Sequence, residues 1–215
     1  MTKFMIPKAY RESVIWHKSQ GHKKQKRAFP VLLTDIDNTF YSPETVDDMW
    51  RLYNYLQYLC WGLVYITGRR REMVEGIESL PQFDVMAVSL GSEIYVRQLN
   101  GRYLQDTDHA QLSDKNLAAL YLQKQLDFSG VVAGDGAVDY SMIFESGMPA
   151  IIVGGAEPFL RDKVFALEKI DEKIRALPNG NPIFVGDDKE DLAVRGIINA
   201  LQSDFFKIDG LSLGR

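Results

Sequence analysis

Two carboxylates and a hydroxyl follow an apolar run, and residues of these types at this spacing could hold a metal ion. The run at residues 31–34 is followed by Asp35 and Asp37, and Thr39 comes two positions after Asp37. Valine and leucine in the run predict a strand buried on both faces of a parallel sheet, and ligands bind at the C-terminal end of such strands. Neighbouring carboxylates repel each other unless a cation lies between them, which favours a hard ion such as Mg²⁺. An isolated pattern of this kind fits a strand end with an Asx turn equally well.

Similar polar strand ends recur along the chain. A second apolar run ends in Thr67 and Gly68, Lys115 stands at the start of a helical pattern, and a third run leads to Asp135 and Asp139. Each element alone could be a turn or a helix start. Taken in order they indicate one site, because the C-terminal ends of parallel strands meet at the same edge of a sheet.

This order of motifs, DxDxT, Thr-Gly, Lys and GDxxxD, resembles the haloacid dehalogenase (HAD) superfamily of aspartate-nucleophile phosphohydrolases. The resemblance extends over about residues 31 to 203 and points to the sucrose-phosphatase-like branch, whose caps are of the α/β C2 type. Besides the motifs, it rests on the segments 67–70, 88–95, 151–158 and 193–198. It implies an α/β fold of the HAD-like Rossmannoid type, a mostly parallel sheet with helices on both faces.

The resemblance also implies an activity, that of a Mg²⁺-dependent phosphatase (a phosphoric monoester hydrolase). Asp35 would form an aspartyl-phosphate intermediate, and Asp37 would act as general acid and base. The implied Mg²⁺ ligands are the Asp35 side chain, the Asp37 carbonyl and Asp135, while Asp139 completes or orients that set. The expected substrate is a small-molecule phosphate ester, either a sugar phosphate or another small organic phosphate.

Three further residues would bind the phosphoryl group in proteins of this type. Thr67 and the Gly68 amide would donate hydrogen bonds to its oxygens, and Lys115 would offset its charge. Phosphoryl transfer places negative charge on the equatorial oxygens, which explains why cations and N–H donors are needed there.

A second GDxxxD segment at residues 186–191 also follows an apolar strand and competes for the metal site. We favour Asp135 and Asp139 because their segment follows Lys115 by a single helix. Val138 stands where many relatives have an asparagine, which would weaken the metal site. A catalytically weak phosphate-ester-binding regulatory domain is therefore an alternative function, and a phosphomutase is another.

The segment between Thr67 and Lys115 is too short for the cap of C2-type relatives. It offers only a β-hairpin around Asn100-Gly101, for which a type I′ turn is expected, and a short connection. We therefore expect a missing or vestigial cap at residues 95–113 and an open site, which a homo-oligomer could cover. Farther along, the pattern predicts a helix over residues 159–176.

Composition limits the number of domains and the class of protein. The chain has 215 residues, of which 46% are hydrophobic, enough for one α/β domain. Cys60 is the single cysteine, which excludes a disulfide framework or a cysteine-rich metal site. No apolar run approaches the length of a membrane span and no signal-peptide pattern precedes the core, so we expect a cytoplasmic protein without a membrane partner.

Charge divides the chain unevenly. Residues 1–30 carry eight Lys or Arg and one Glu, whereas the remaining 17 Lys and Arg stand against 28 Asp and Glu. We therefore divide the chain into a basic N-terminal extension (1–30) and a HAD-like hydrolase core (31–215). The extension is expected to be a solvated arm; the alternative is contact with an anionic surface, a nucleic acid or the acidic core. Nucleic acid is not expected, because the core lacks the basic and aromatic surface that binding would need.

Overall fold

Ten strands form one sheet in the computed structural model, which describes residues 7–109 and 113–206. In chain order the strands are β1 (Phe29–Thr34), β2 (Gly62–Ile66), β3 (Val85–Val88), β4 (Glu93–Arg97), β5 (Tyr103–Gln105), β6 (Phe128–Gly134), β7 (Ala150–Ile152), β8 (Glu168–Asp171), β9 (Ile174–Ala176) and β10 (Pro182–Val185). Their order across the sheet is β5-β4-β3-β2-β1-β6-β7-β10-β9-β8. The six central strands, β3-β2-β1-β6-β7-β10, pair in parallel. The two outer strands on each side, β5 and β4 on one and β9 and β8 on the other, pair antiparallel with their neighbours.

Helices cover both faces of the sheet, as predicted. They are α1 (Lys8–Arg11), α2 (Val14–Lys24), α3 (Val46–Tyr58), α4 (Arg71–Glu75), α5 (Lys115–Leu126), α6 (Tyr140–Glu145), α7 (Pro158–Phe165) and α8 (Val194–Gln202). One buried cluster joins the sheet to α1, α2, α5, α6 and α7, and the other joins it to α3, α4 and α8. Strand β1 shows why both faces need covering, since Val31 and Leu33 enter the first cluster and Leu32 enters the second.

The N-terminal segment packs against the sheet instead of forming the solvated arm that was expected. Tyr10 and Ile15 are fully buried in the core. The Lys18 ammonium lies 2.8 Å from the Asp84 carboxylate and donates a hydrogen bond to the Trp61 carbonyl at 2.7 Å. Residues 1–6 lie outside the described part of the chain. The division into an extension and a core from residue 31 stays a prediction.

The hairpin forms at the predicted place but its turn differs from the prediction. Strands β4 and β5 extend the main sheet beyond β3 as antiparallel neighbours. A type I′ turn needs positive φ at both central residues, whereas Gly101 has φ +82° and Asn100 is not among the residues with positive φ. The Gly101 amide instead donates to the Gln98 carbonyl at 2.9 Å. Between Thr67 and Lys115, the described residues contain no separate cap domain.

The helix predicted over residues 159–176 is only partly present, because α7 ends at Phe165 and a β8–β9 hairpin follows. Residues 174–176 pair with β10, and this pairing buries Ile174 and Arg175. Burial on the sheet edge outweighs the helix propensity of a lysine- and glutamate-rich segment. Within the described residues, no helix has the length and apolar character that crossing a membrane requires.

Candidate active site

The first pair of carboxylates lies immediately beyond the end of β1. The Asp35 amide donates to the Ala133 carbonyl at 3.1 Å, which continues the pairing of β1 with β6. The chain then turns, and Asn38 adopts a left-handed conformation with φ +53°, which asparagine tolerates better than most residues. The Asp35 side chain is buried, whereas Asp37 is half-buried at the edge of a cavity.

The second pair follows β6, the strand beside β1. The Asp139 Oδ2 atom accepts hydrogen bonds from the Asp135 amide at 3.1 Å and the Gly136 amide at 3.0 Å. A Cβ atom on Gly134 would lie only 2.6 Å from the Asp139 side chain, so glycine is required at that position. This compact loop places the Asp135 carboxylate beside Asp35.

Lys115 connects the two pairs from the start of α5. The Asp114 side chain caps this helix by accepting from the Leu117 amide at 3.0 Å. The Lys115 ammonium is 1% exposed and lies 2.6 Å from Asp139 Oδ1 and 3.1 Å from Asp35 Oδ1. Burial alone would lower the pKa of Lys115, but the charges of Asp139 and Asp35 outweigh it and raise the pKa above its usual value.

Thr67 and Gly68 lie beyond the end of β2, on the other side of β1. The Thr67 amide donates to the Ala87 carbonyl at 2.9 Å, and the Thr67 hydroxyl oxygen accepts from the Arg69 amide at 3.2 Å. The hydroxyl can therefore still donate its proton to a ligand. Gly68 is exposed at the cavity.

The acidic residues fit a divalent cation. Carboxylate oxygens of Asp35, Asp135 and Asp139 all lie within 4.8 Å of one another. The buried Asp35 Oδ1 lies 3.1 Å from the Lys115 ammonium and has no other donor. Burial, reinforced by the charge of Asp139, raises the pKa of Asp35 to about 6, and burial likewise raises the pKa of Asp135 to about 6. Such a set of oxygen donors suits Mg²⁺.

Two contacts of this site were not foreseen from the sequence. Arg69 forms a two-pronged ion pair with Asp37, with Nε 2.7 Å from Oδ2 and Nη2 2.6 Å from Oδ1. The buried Thr39 hydroxyl donates to Asp135 Oδ1 at 2.7 Å. Both residues lie inside the quoted motifs, so their positions could have suggested these roles. The Asp37 side chain is not part of the acidic group, and the metal role of its carbonyl stays a prediction.

The competing GDxxxD segment lies away from this group. Its buried carboxylate, Asp191, pairs with Lys173 at 2.7 Å and accepts a hydrogen bond from the Asn199 side-chain Nδ2 at 2.7 Å. The neighbouring Asp187 and Asp188 are exposed. Neither of these belongs to the carboxylate group that includes Asp35.

The surface above the carboxylates is an open cavity of about 440 Å³. Among the predicted site residues, those lining it are Asp35, Asp37, Thr67, Gly68 and Asp135. Lys115 and Asp139 are buried beneath it. The structure therefore brings all seven predicted site residues to one edge of the sheet.

Comparisons with known proteins bear on the family and the fold of this chain. Residues 29–112 match the family model of sucrose-6F-phosphate phosphohydrolase. A search of the curated proteins found no match. The sucrose-phosphatase from Synechocystis sp. PCC6803, solved with sucrose and phosphate, is a similar structure, with 17% identity and a TM-score of 0.60, and the alignment covers 81% of this chain and 97% of that one.

Two further solved structures share the fold. A haloacid dehalogenase-like hydrolase protein from Bacillus subtilis is 11% identical with a TM-score of 0.57, covering 84% of this chain and 97% of the other. A protein from Thermotoga maritima is 10% identical with a TM-score of 0.52, covering 83% and 99%. At these identities the structures show a common fold, and they confirm the predicted Rossmannoid α/β architecture.

Proposed function

We propose that this chain, a haloacid-dehalogenase-like protein that resembles the sucrose-phosphatases, is a Mg²⁺-dependent phosphatase of phosphate monoesters. The observation that carries the proposal is the environment of Asp35. One oxygen of this buried carboxylate lies 3.1 Å from the Lys115 ammonium and has no other donor, and the carboxylate is grouped with those of Asp135 and Asp139. A buried carboxylate oxygen that contacts a cation and no other donor suits attack on phosphorus.

In the first half of the reaction, an Asp35 oxygen attacks phosphorus while the bond from phosphorus to the ester oxygen breaks. Asp37 gives its proton to the departing alcohol, and Asp35 holds the phosphoryl group as an aspartyl-phosphate. Thr67 and the Gly68 amide donate hydrogen bonds to the phosphoryl oxygens. Lys115 contributes positive charge from beneath, where it touches both Asp35 and Asp139.

In the second half, Asp37 removes a proton from water, which attacks phosphorus and frees Asp35 and inorganic phosphate. Mg²⁺, held by Asp35 and Asp135, would offset the repulsion between Asp35 and the phosphate dianion. Asp139 orients this site, since its oxygens are occupied by Lys115 and by two backbone amides. Arg69 holds Asp37 at the cavity by both carboxylate oxygens, and one oxygen must leave this pair to carry the proton that Asp37 transfers.

The open cavity is compatible with the proposed substrate, a small-molecule phosphate ester. With no cap domain between Thr67 and Lys115 in the described residues, the phosphoryl site is reached directly from the surface. A sugar phosphate or another small organic phosphate fits this access, and a second copy of the chain could cover it.

One observation favours a second candidate, a phosphate-ester-binding domain with negligible turnover. Val138, which precedes Asp139 in the chain, is 57% exposed and lines the cavity at a position where many proteins of the resembled family have an asparagine. This candidate predicts binding of phosphate esters without hydrolysis.

Phosphate release from a panel of phosphomonoesters tests the proposal. The panel is run with Mg²⁺ and with a chelator, for the native chain, for Asp35→Asn and for Asp162→Asn, an exposed carboxylate on α7. We expect turnover that the chelator abolishes, that Asp35→Asn loses and that Asp162→Asn keeps. Absence of turnover on every ester by folded, Mg²⁺-loaded protein would refute the phosphatase and favour the binding domain.

A further inference from the structure

Three consecutive arginines follow Gly68, and two of them already have partners. Arg69 is paired with both oxygens of Asp37. Arg71 Nε donates to Glu75 at 2.7 Å, and its guanidinium lies 4.6 Å from the centre of the Tyr95 ring. The charges of these two side chains are thus offset within the protein.

Arg70 differs from both. Its side chain is exposed and lines the same cavity as Asp35 and Thr67. Within residues 7–109 and 113–206, no hydrogen bond or ion pair engages its guanidinium. A guanidinium offers five N–H donors in a planar fork that matches carboxylate or phosphate oxygens.

From this we infer that Arg70 binds a second anionic group on the substrate, so that the favoured phosphomonoesters carry a carboxylate or a further phosphate on their alcohol part. The inference rests on the proposed function and names the substrate class of the same site. Thr67, Gly68 and Lys115 bind the phosphoryl group itself, so Arg70 is available to bind the alcohol part of the ester.

The remaining charges in the cavity determine where that second anion can lie. Glu157 also lines the cavity and would repel an anionic alcohol, and so would Asp135 when no cation offsets its charge. Arg69 is neutralised by Asp37, so Arg70 is the lining side chain whose positive charge is not offset by a neighbour in the described chain. Met73, 54% exposed, lines the same cavity and can contact the short carbon chain between the two anionic groups.

Two phosphonates that differ by one carboxylate test the inference without requiring turnover. Propylphosphonate and 3-phosphonopropionate have the same carbon count, and their C–P bonds resist hydrolysis by this mechanism. Calorimetric titration measures their dissociation constants for Mg²⁺-loaded native protein, Arg70→Gln and Arg102→Gln. Arg102 is an exposed arginine beside the β4–β5 turn, at the opposite end of the sheet from the cavity.

We expect native protein to bind the carboxylated phosphonate about three- to tenfold more tightly, as for a partly exposed, two-pronged arginine–carboxylate pair. Arg70→Gln should abolish this preference, and Arg102→Gln should keep it. Equal binding of both phosphonates, no binding of either, or an equal loss for both in Arg70→Gln would overturn the inference. An equal loss would mean that Arg70 contacts the phosphoryl group.

Hydrolysis of glycerol 3-phosphate and 3-phosphoglycerate separates this inference from the proposed function. Turnover of both esters at equal kcat/KM would keep the phosphatase and refute the role of Arg70. A phosphonate preference without turnover of these two esters or of any other ester in the panel would keep the anion site and refute the phosphatase.

Discussion

Replacing Asp35 by asparagine should abolish activity and at the same time stabilise the metal-free protein. Burial, together with the charge of Asp139, raises the pKa of Asp35 from its ordinary value of 3.8 to about 6, even though Lys115 acts in the opposite direction. At neutral pH without metal, the folded protein therefore contains a carboxylate that is more costly to ionise than in the unfolded chain. Asparagine has nearly the same shape and carries no charge.

The size of the effect follows from the pKa shift. A rise of about two pKa units corresponds to roughly 3 kcal/mol, at about 1.4 kcal/mol per unit. The new amide group would face the Lys115 ammonium less favourably than a carboxylate does, which reduces the gain. We expect the free energy of unfolding at pH 7 to rise by about 1–3 kcal/mol, and Tm by roughly 2–10 °C for a chain of this size.

The pH dependence has a definite sign. Because the folded pKa of Asp35 lies above the unfolded value, ionisation destabilises the native protein as pH rises from about 4 to about 6. The penalty is absent below this window and complete above it. The stability difference between Asp35→Asn and the native chain should therefore be small near pH 4 and reach its full value at pH 7.

Urea denaturation in the presence of a chelator, between pH 4 and pH 8, measures this difference. The matched control is Asp162→Asn, an exposed carboxylate whose replacement should change stability by less than about 0.5 kcal/mol. Added Mg²⁺ should stabilise the native chain more than Asp35→Asn. The reasoning fails if Asp35→Asn is no more stable than the native chain at pH 7, or if its advantage grows toward acid pH.

Three other substitutions give separate predictions. Thr39→Val removes the buried hydroxyl that donates to Asp135, with little change of shape, and should weaken the apparent Mg²⁺ affinity by about tenfold or more. The dependence of Tm on Mg²⁺ concentration measures this affinity, and an unchanged value would contradict the prediction. Arg69→Lys loses the two hydrogen bonds that hold Asp37 and should lower kcat by about ten- to hundredfold. Its unfolding free energy should change by less than about 1 kcal/mol, because both side chains are partly exposed. Lys18→Met leaves a buried carboxylate with one cation fewer and should cost about 2–4 kcal/mol in urea denaturation without changing kcat of the folded enzyme.

The central sheet and the position of the site were predictable because the signal is local. Runs of Val, Leu and Ile identify buried parallel strands, and the polar residues that follow must gather at their C-terminal ends. Strand β1 lies between β2 and β6, so Asp35 comes to lie between the loops that carry Thr67 and Asp135. This adjacency requires only the usual order of strands in such a fold.

Other parts of the fold depend on contacts between distant segments. From the sequence, Lys18 is expected to be one more exposed charge in the basic N-terminal extension. In the structure it pairs with Asp84, which lies 66 residues away in the chain and is fully buried. Similarly, the sequence pattern places Ile174 in a helix, but in the structure it pairs with β10 and is buried on the sheet. Propensity and periodicity describe neighbours in the chain and carry little information about such pairings.

The two GDxxxD segments show this limit most directly, because their local structures are alike. Asp139 accepts from the amide of Asp135, and Asp191 accepts from the amide of Asp187 at 2.6 Å, the same four-residue closure. Each buried carboxylate also pairs with a lysine. The difference lies in the neighbouring strand. Strand β6 pairs with β1, which brings Asp135 to Asp35, whereas β10 lies between β7 and β9 and, among the described residues, has no such carboxylate beside it. Position in the sheet, and not the motif itself, therefore determines which segment can complete a metal site.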